Sequence, residues 1–179
     1  IEEKIGYGAM GVVYRAYHEH LKKHVAIKLI RADLDKNPNA VLRFQREAKA
    51  MGRLNHPNIL QTMDFGITEG GIPFLVMEYV AGQPLNLLLK SQAFTEEESI
   101  LSLFKQIASG LDYAHSKNVI HRDIKPSNII IEDWNPPQFT AKIVDFGLAK
   151  IQEQDISLTA SGAGLGTPLY MSPEQCEGL

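Results

Sequence analysis

The chain has 179 residues, 44% of them hydrophobic and 22% charged, an ordinary soluble globular composition with enough length to bury a core. Eighteen Lys and Arg against 21 Asp and Glu leave a formal charge of -3, which argues against a dedicated nucleic-acid or anionic-membrane surface. A single cysteine, Cys176, rules out an internal disulfide framework and fits a reducing compartment, so the cytoplasm is the expected location; no apolar run approaches the roughly 18 residues of a membrane span.

In chain order, the glycine-punctuated residues 5–17 predict a β-hairpin, and the β-branched alternation of HVAIKLI, His24 to Ile30, predicts a third strand. Asn37-Pro38 supplies an N-cap and a first-turn proline. Val41, Phe44, Ala48 and Met51 then recur at helical spacing until His56-Pro57 stops the run. Two further strands are expected near 59–65 and 72–79, joined at Gly70-Gly71. After Gly82 the pattern turns helical: Thr95 and Glu98 form a capping box ahead of Ile100, Leu103, Phe104, Ile107, Leu111 and Ala114, an amphipathic helix of about twenty residues. Short strands follow at Ile129–Ile131 and Lys142–Val144 around a Pro136-Pro137 turn. The last thirty residues are rich in Gly, Ser and Thr, and so long an irregular stretch in a compact fold is usually functional or mobile.

Residues 6–13, GYGAMGVV, carry a Gly-x-Gly-x-x-Gly spacing. In a dinucleotide-binding fingerprint such glycines open a helix, whereas here Val12-Val13-Tyr14 continues as strand, so the loop reads as a hairpin that covers phosphates with its amides. The bland alternative is a glycine-rich hairpin with no ligand. Lys28 lies mid-strand among apolar neighbours, where an unpaired ammonium is costly, and Glu47 in the following helix is a carboxylate able to meet it; the alternatives are an edge lysine and a solvated helical glutamate.

HRDIKPSN, residues 121–128, places three complementary groups close together. Asp123 can accept a proton from a hydroxyl nucleophile, Lys125 can stabilise charge on a phosphoryl group in transit, and Asn128 offers an amide oxygen to a divalent cation. Seventeen residues on, Asp145-Phe146-Gly147 sets a second carboxylate directly after an apolar strand. Each motif alone could be a solvated turn; together, in this order, they describe phosphoryl transfer.

GYGAMGVV, VAIK, HRDIKPSN, DFG and SPE, in that order, resemble the catalytic domain of eukaryotic-type (Hanks-type) protein serine/threonine kinases. The resemblance covers nearly the whole chain. It implies an α+β, bilobal fold: an antiparallel five-stranded small lobe and hinge over residues 1–80, then the first part of a mainly helical large lobe over 81–179. It also implies ATP and Mg²⁺ as cofactors. Gly6, Gly8 and Gly11 resemble the loop over the phosphates, with Ile5 at its entrance, and Lys28 and Glu47 resemble the lysine that contacts phosphate and its helical partner. Val13, Ala26 and Ile130 would sandwich adenine, Met77 resembles the gatekeeper, and Glu78, Tyr79 and Val80 the hinge. Asp123 matches the catalytic aspartate, Lys125 the lysine near the γ-phosphate, and Asn128 and Asp145 the metal ligands.

Lys125 and the Gly166-Thr167-Pro168 run resemble the serine/threonine branch, so protein Ser or Thr hydroxyls are the expected acceptors. GTPLYMSPEQ resembles bacterial members, which often carry a membrane span and sensor beyond the kinase unit. Arg122 before the catalytic aspartate resembles enzymes switched on by loop phosphorylation, with Lys150 as a second phosphate partner and Thr159 or Ser161 as the acceptor. The alternative from another class is a pseudokinase or nucleotide-binding scaffold, against which intact Lys28, Asp123, Asn128 and Asp145 argue. A small-molecule kinase is disfavoured by Lys125 with GTPLYMSPE. The start at Ile1 and the end soon after Ser172-Pro173-Glu174 read as a piece of something longer, whose remainder would pair with Glu174 and cover the large lobe's apolar face, so the piece alone is expected to fold poorly. Departures from the family pattern are Ser172 for alanine, Thr62 in place of an aliphatic residue, and the longer EDWNPPQ hairpin.

Overall fold

The computed structural model describes residues 1–8, 11–31, 38–91, 96–146 and 168–177. Alternating side chains and tight turns at the start of the chain give β1 (Glu3–Gly8), β2 (Gly11–His18) and β3 (Lys23–Ile30), paired antiparallel. Gly11 lets the start of β2 lie close against β3. Its φ of 142° is open to glycine but strained for side-chain-bearing residues, and a Cβ there would lie 1.9 Å from the Leu29 carbonyl oxygen.

The helix expected after Asn37 is α1 (Pro38–Gly52), with proline as its first residue; the Asn37 cap lies outside the described residues. Phe44, Ala48 and Met51, spaced for one helical face, are buried, and Phe44 meets Phe65 edge-on at 6.0 Å between ring centroids. Phe65 belongs to β4 (Thr62–Ile67), which pairs with β5 (Pro73–Glu78) to complete a five-stranded sheet of order β1-β2-β3-β5-β4. The expected five-stranded antiparallel sheet is therefore present.

Beyond Val80 the chain forms β6 (Gly82–Pro84), α2 (Leu85–Lys90), α3 (Glu97–Ser116), a 3₁₀ turn at Pro126–Asn128, β7 (Ile129–Asn135) and β8 (Gln138–Ile143). A second 3₁₀ turn at Pro168–Tyr170 and α4 (Pro173–Cys176) end the described chain. The three strands make a sheet of order β6-β7-β8. Leu85, Leu88, Leu103, Ile129, Ile131 and Ala141 form its core, with Trp134 and Phe139 packed against them.

Residues form two compact units: Ile1–Asn55 with Leu60–Val80, and His56–Ile59 with Ala81–Leu179. The four residues 56–59 thus leave the first unit, within which the sequence reading had placed them. They are fastened in the second: Asn58 Nδ2 donates to the Ala141 carbonyl and to Gln106 Oε1, each at 2.9 Å, the Ile143 amide donates to the Asn58 carbonyl at 2.9 Å, and Ile59 bridges Ile143 in parallel. This explains why the strand expected from residue 59 begins only at Thr62.

α3 departs from expectation in its orientation and start. Its buried positions are Ser99, Leu103, Gly110 and Ala114, whereas Ile100 and Phe104 are exposed, Phe104 at 64%. The cause is local: Gly110 lets the helix close on Asn58 and Ile143, and Gln106 accepts from the Ala141 amide at 2.8 Å while donating to the Phe139 carbonyl at 3.2 Å. The N-cap is Glu96, without a side-chain cap bond, and Thr95 lies outside the described residues.

Candidate active site

In the first unit, register decides which side chains share a face. Val13 lies opposite Lys28 and Lys28 opposite Leu75, while Ala26 lies between Arg15 and Met77. Gly6 pairs with Val13 and Gly8 with Gly11. Directly paired residues project to the same side, so Gly6, Gly8, Gly11, Val13, Ala26, Lys28 and Met77 occupy one face of the sheet. Ile5, which falls at the register shift of β1, is 44% exposed. Lys28 is only 4% exposed, a burial that an ammonium tolerates only beside negative charge. Glu47 lies on α1 beside the buried Ala48 and within 3.8 Å of Arg46 Nε. At the end of β5, Glu78 Oε1 accepts from the Gln61 amide at 2.9 Å, and the Glu78 amide donates to the Gln61 carbonyl at 3.0 Å. These two bonds fix the strand just before Tyr79 and Val80. The Tyr79 ring is packed by the Arg15 guanidinium at 5.4 Å and by His24.

In the second unit, the 3₁₀ turn Pro126–Asn128 folds HRDIKPSN back on itself. Lys125 Nζ lies 2.8 Å from Asp123 Oδ2. Asn128 Nδ2 donates to that same oxygen at 3.0 Å and to the Asp123 carbonyl at 2.8 Å. Both amide protons of Asn128 are committed to Asp123, which turns its Oδ1 away, the end that a cation needs. Asp123 and Asn128 are buried, so the hydrogen bonds rather than water hold their orientation.

Asp145 enters through backbone pairing. The Val144 amide donates to the Asn128 carbonyl at 2.9 Å, which fastens the segment that follows β8 and carries Asp145 to the turn carrying Asn128. Asp145 itself has φ of 67° and Arg122 has 70°, both left-handed and each costing about 1–3 kcal/mol for residues with side chains. Such strain persists only where surrounding bonds over-determine it.

His121 supplies much of that determination, although motif reading assigned it no role. It is 2% exposed, its Nε2 donates to the Val144 carbonyl at 2.8 Å, and its Nδ1 accepts from the Asp123 amide at 3.2 Å. Phe146 packs edge-on at 4.6 Å. Burial pushes the imidazole below its usual pKa and outweighs the opposing pull of the Val144 bond and of Asp145 and Asp123; Lys125 adds to the lowering. A polar ring following the apolar pair Val119-Ile120 was the available signal.

Ile130 alternates with the buried Ile129 and Ile131 along β7 and so faces away from the core that they help to build. Ser172 acquires a function from its hydroxyl: it accepts from the Gln175 amide at 3.3 Å while Gln175 Oε1 accepts from the Ser172 amide at 3.1 Å, a reciprocal cap that alanine cannot make. Thr62 is buried opposite Met77. Thr159, Ser161, Lys150 and Gly147 lie outside the described residues.

The family model of the protein kinase domain matches residues 1–178. The chain belongs to the protein kinase family. Among curated proteins, this kinase-family chain is 46% identical to serine/threonine-protein kinase pkn3 of Myxococcus xanthus, over 99% of its own length and 33% of that protein. It is 37% identical to serine/threonine-protein kinase PknB of Mycobacterium tuberculosis, over 98% of this chain and 28% of that one. The kinase-family segment thus spans a third or less of these two relatives. Among solved structures, a double mutant of the Mycobacterium tuberculosis PknI kinase domain superposes with a TM-score of 0.74 at 28% identity, covering 98% of this chain and 64% of that one. The α+β fold and the bacterial serine/threonine-kinase resemblance expected from the motifs therefore stand. Among the described residues no helix is long and apolar enough to cross a membrane.

Proposed function

We propose that the protein containing this chain is an ATP- and Mg²⁺-dependent serine/threonine kinase that transfers the γ-phosphoryl group of ATP to Ser or Thr hydroxyls of protein substrates. The observation that carries the reading is the locked cluster of Asp123, Lys125 and Asn128, in which one carboxylate oxygen meets both an ammonium at 2.8 Å and an amide at 3.0 Å. Asp123 orients the acceptor hydroxyl and takes its proton, using the oxygen that Lys125 leaves accessible. Lys125 neutralises charge on the phosphoryl group as it moves. The donor set fits Mg²⁺: a carboxylate from Asp145 and the amide oxygen of Asn128, few protein ligands with phosphate to complete them. A bound metal would screen the triphosphate and align it for in-line attack.

On the nucleotide side, Gly6, Gly8 and Gly11 supply backbone amides to the phosphates, Lys28 contacts the α- and β-phosphates, and Glu47 holds that ammonium in place. Ile5, Val13, Ala26 and Ile130 enclose adenine, Met77 closes the back of its pocket, and the backbone at Glu78 and Val80 reads its edge. The kinase unit acts in the cytoplasm, and phosphorylation at Thr159 or Ser161 switches it on through Arg122. Support comes from the relatives' names, from the shared sheet face and from the order of motifs.

The test uses the full-length protein with Mg-ATP and a generic basic protein as acceptor. Label should appear on Ser and Thr, fall by a factor of about 10³ or more in Asp123→Asn, and require higher metal concentration in Asp145→Asn. Nucleotide-dependent thermal stabilisation without label transfer would instead establish a binding scaffold. Mass spectrometry after self-incubation should find phosphate within residues 148–167; its absence there removes the switching step.

A further inference from the structure

Gln175 does more than cap a helix. Its Oε1 accepts from the Ser172 amide at 3.1 Å, and its Nε2 donates to the Arg122 carbonyl at 2.6 Å. The Ser172 hydroxyl in turn accepts from the Gln175 amide at 3.3 Å. Both ends of the side-chain amide are therefore spoken for, so its oxygen and nitrogen cannot exchange places. The bond it makes across 53 residues of sequence reaches the peptide between Arg122 and Asp123, at a residue whose φ is 70°. The same peptide's N–H is held from the other side by His121 Nδ1 at 3.2 Å. One peptide plane is thus clamped at its carbonyl by α4 and at its amide by His121, and its tilt sets where the Asp123 side chain points.

We infer that Gln175 is a positioning residue, coupling α4 to the orientation of the Asp123 carboxylate, so that catalytic competence depends on α4 being seated. The inference rests on the reading of Asp123 as the residue that receives the hydroxyl proton. Neither glutamate nor leucine reproduces the link: ionised glutamate keeps the bond from the Ser172 amide but presents an anion to the Arg122 carbonyl, and leucine makes neither contact. Protonated glutamate differs, because its O–H donates where the amide N–H did. An ordinary glutamate titrates near about 4.3, and a carbonyl acceptor that bonds only the protonated form raises that value.

The experiment compares the full-length protein with its Gln175→Glu and Gln175→Leu variants between pH 7.5 and 5.5, measuring kcat and the KM for ATP with a saturating protein acceptor. Both variants should lose about tenfold in kcat at pH 7.5, the equivalent of one good interaction, with KM for ATP unchanged. The deficit of Gln175→Glu relative to the parent should shrink as pH falls, and that of Gln175→Leu should stay constant. Parental kcat in either variant, or a Gln175→Glu deficit that does not change with pH, overturns the inference. Should Gln175→Leu fail to fold by thermal melting, the pH dependence of Gln175→Glu, which preserves the Ser172 cap, decides alone. Failure of the underlying reading has a different signature: Asp123→Asn would retain the parent's kcat.

Discussion

Replacing His121 by phenylalanine keeps a buried ring of similar volume beside Phe146 but removes both hydrogen bonds, leaving the Val144 carbonyl and the Asp123 amide unpaired in a buried setting. An orphaned buried polar group costs about 1–3 kcal/mol, so the pair amounts to about 2–6 kcal/mol of local stability. Acidification of the parent protein probes the same contacts. Burial holds the folded imidazole neutral at pH values where the unfolded chain, near about 6.5, already accepts a proton. Above that value the group contributes no pH dependence. As pH falls below it, the unfolded state binds the extra proton and stability declines, by at most about 1.4 kcal/mol per pH unit, until the folded imidazole is protonated as well. Hydrogen exchange by mass spectrometry on the full-length protein, corrected for intrinsic rates, reads the opening free energy of peptides covering 119–131 and 141–146. The parent should lose protection between pH 7 and 5. The His121→Phe protein should be less protected at pH 7 and lack this proton-linked component. Equal protection in parent and variant at pH 7, or a parent indifferent to pH across that window, would refute the assignment of His121 as a neutral clamp.

Further outcomes follow from the geometry. Lys125→Met removes the cation 2.8 Å from Asp123 and should lower kcat by about 10²–10³ with little change in nucleotide affinity, measured by steady-state kinetics and by calorimetric titration. Gly11→Ala forces a Cβ to within 1.9 Å of the Leu29 carbonyl oxygen at φ of 142°, so the start of β2 must shift away from β3 and affinity for ATP should fall; an unchanged Kd would show that the hairpin has no part in phosphate binding. Phe44→Ala empties a fully buried position of the first unit and should cost about 3–5 kcal/mol by urea denaturation, whereas Leu42→Ala, at a site 64% exposed, should cost under about 1 kcal/mol.

Strands and helices with a clear period were legible in the sequence. The hairpin, β3, α1 and α3 all lie within a few residues of their expected places, because two-residue and 3.6-residue alternations directly reflect which side is buried. β6 and α2 were harder to read: LNLLLK is six residues, too short for a period to show. β7 and β8 outrun their apolar centres because pairing continues through polar EDWN and QFT, where backbone bonds rather than burial extend the strands. Of the candidate site, Asp123, Lys125 and Asn128 were legible because chemistry fixes their residue types and their separation along the chain is short. His121, Asn58, Gln106 and Gln175 were not. Each works through hydrogen bonds to main-chain atoms distant in sequence, and a main-chain carbonyl acceptor or amide donor leaves no mark on the letter at its own position.

The detour of residues 56–59 has a consequence for how the molecule can be taken apart. Because the polypeptide visits the second unit, lends it Asn58 and Ile59, and returns at Leu60, no single cut yields two intact halves. A gene fragment ending at Val80 carries away residues its neighbour needs, and one beginning at Ala81 leaves Gln106, Ala141 and Ile143 facing water where Asn58 and Ile59 had bonded. During translation residues 56–59 emerge ahead of the rest of the second unit and must wait for it before they can be fastened, and recombination between Val80 and Ala81 would transplant neither part whole.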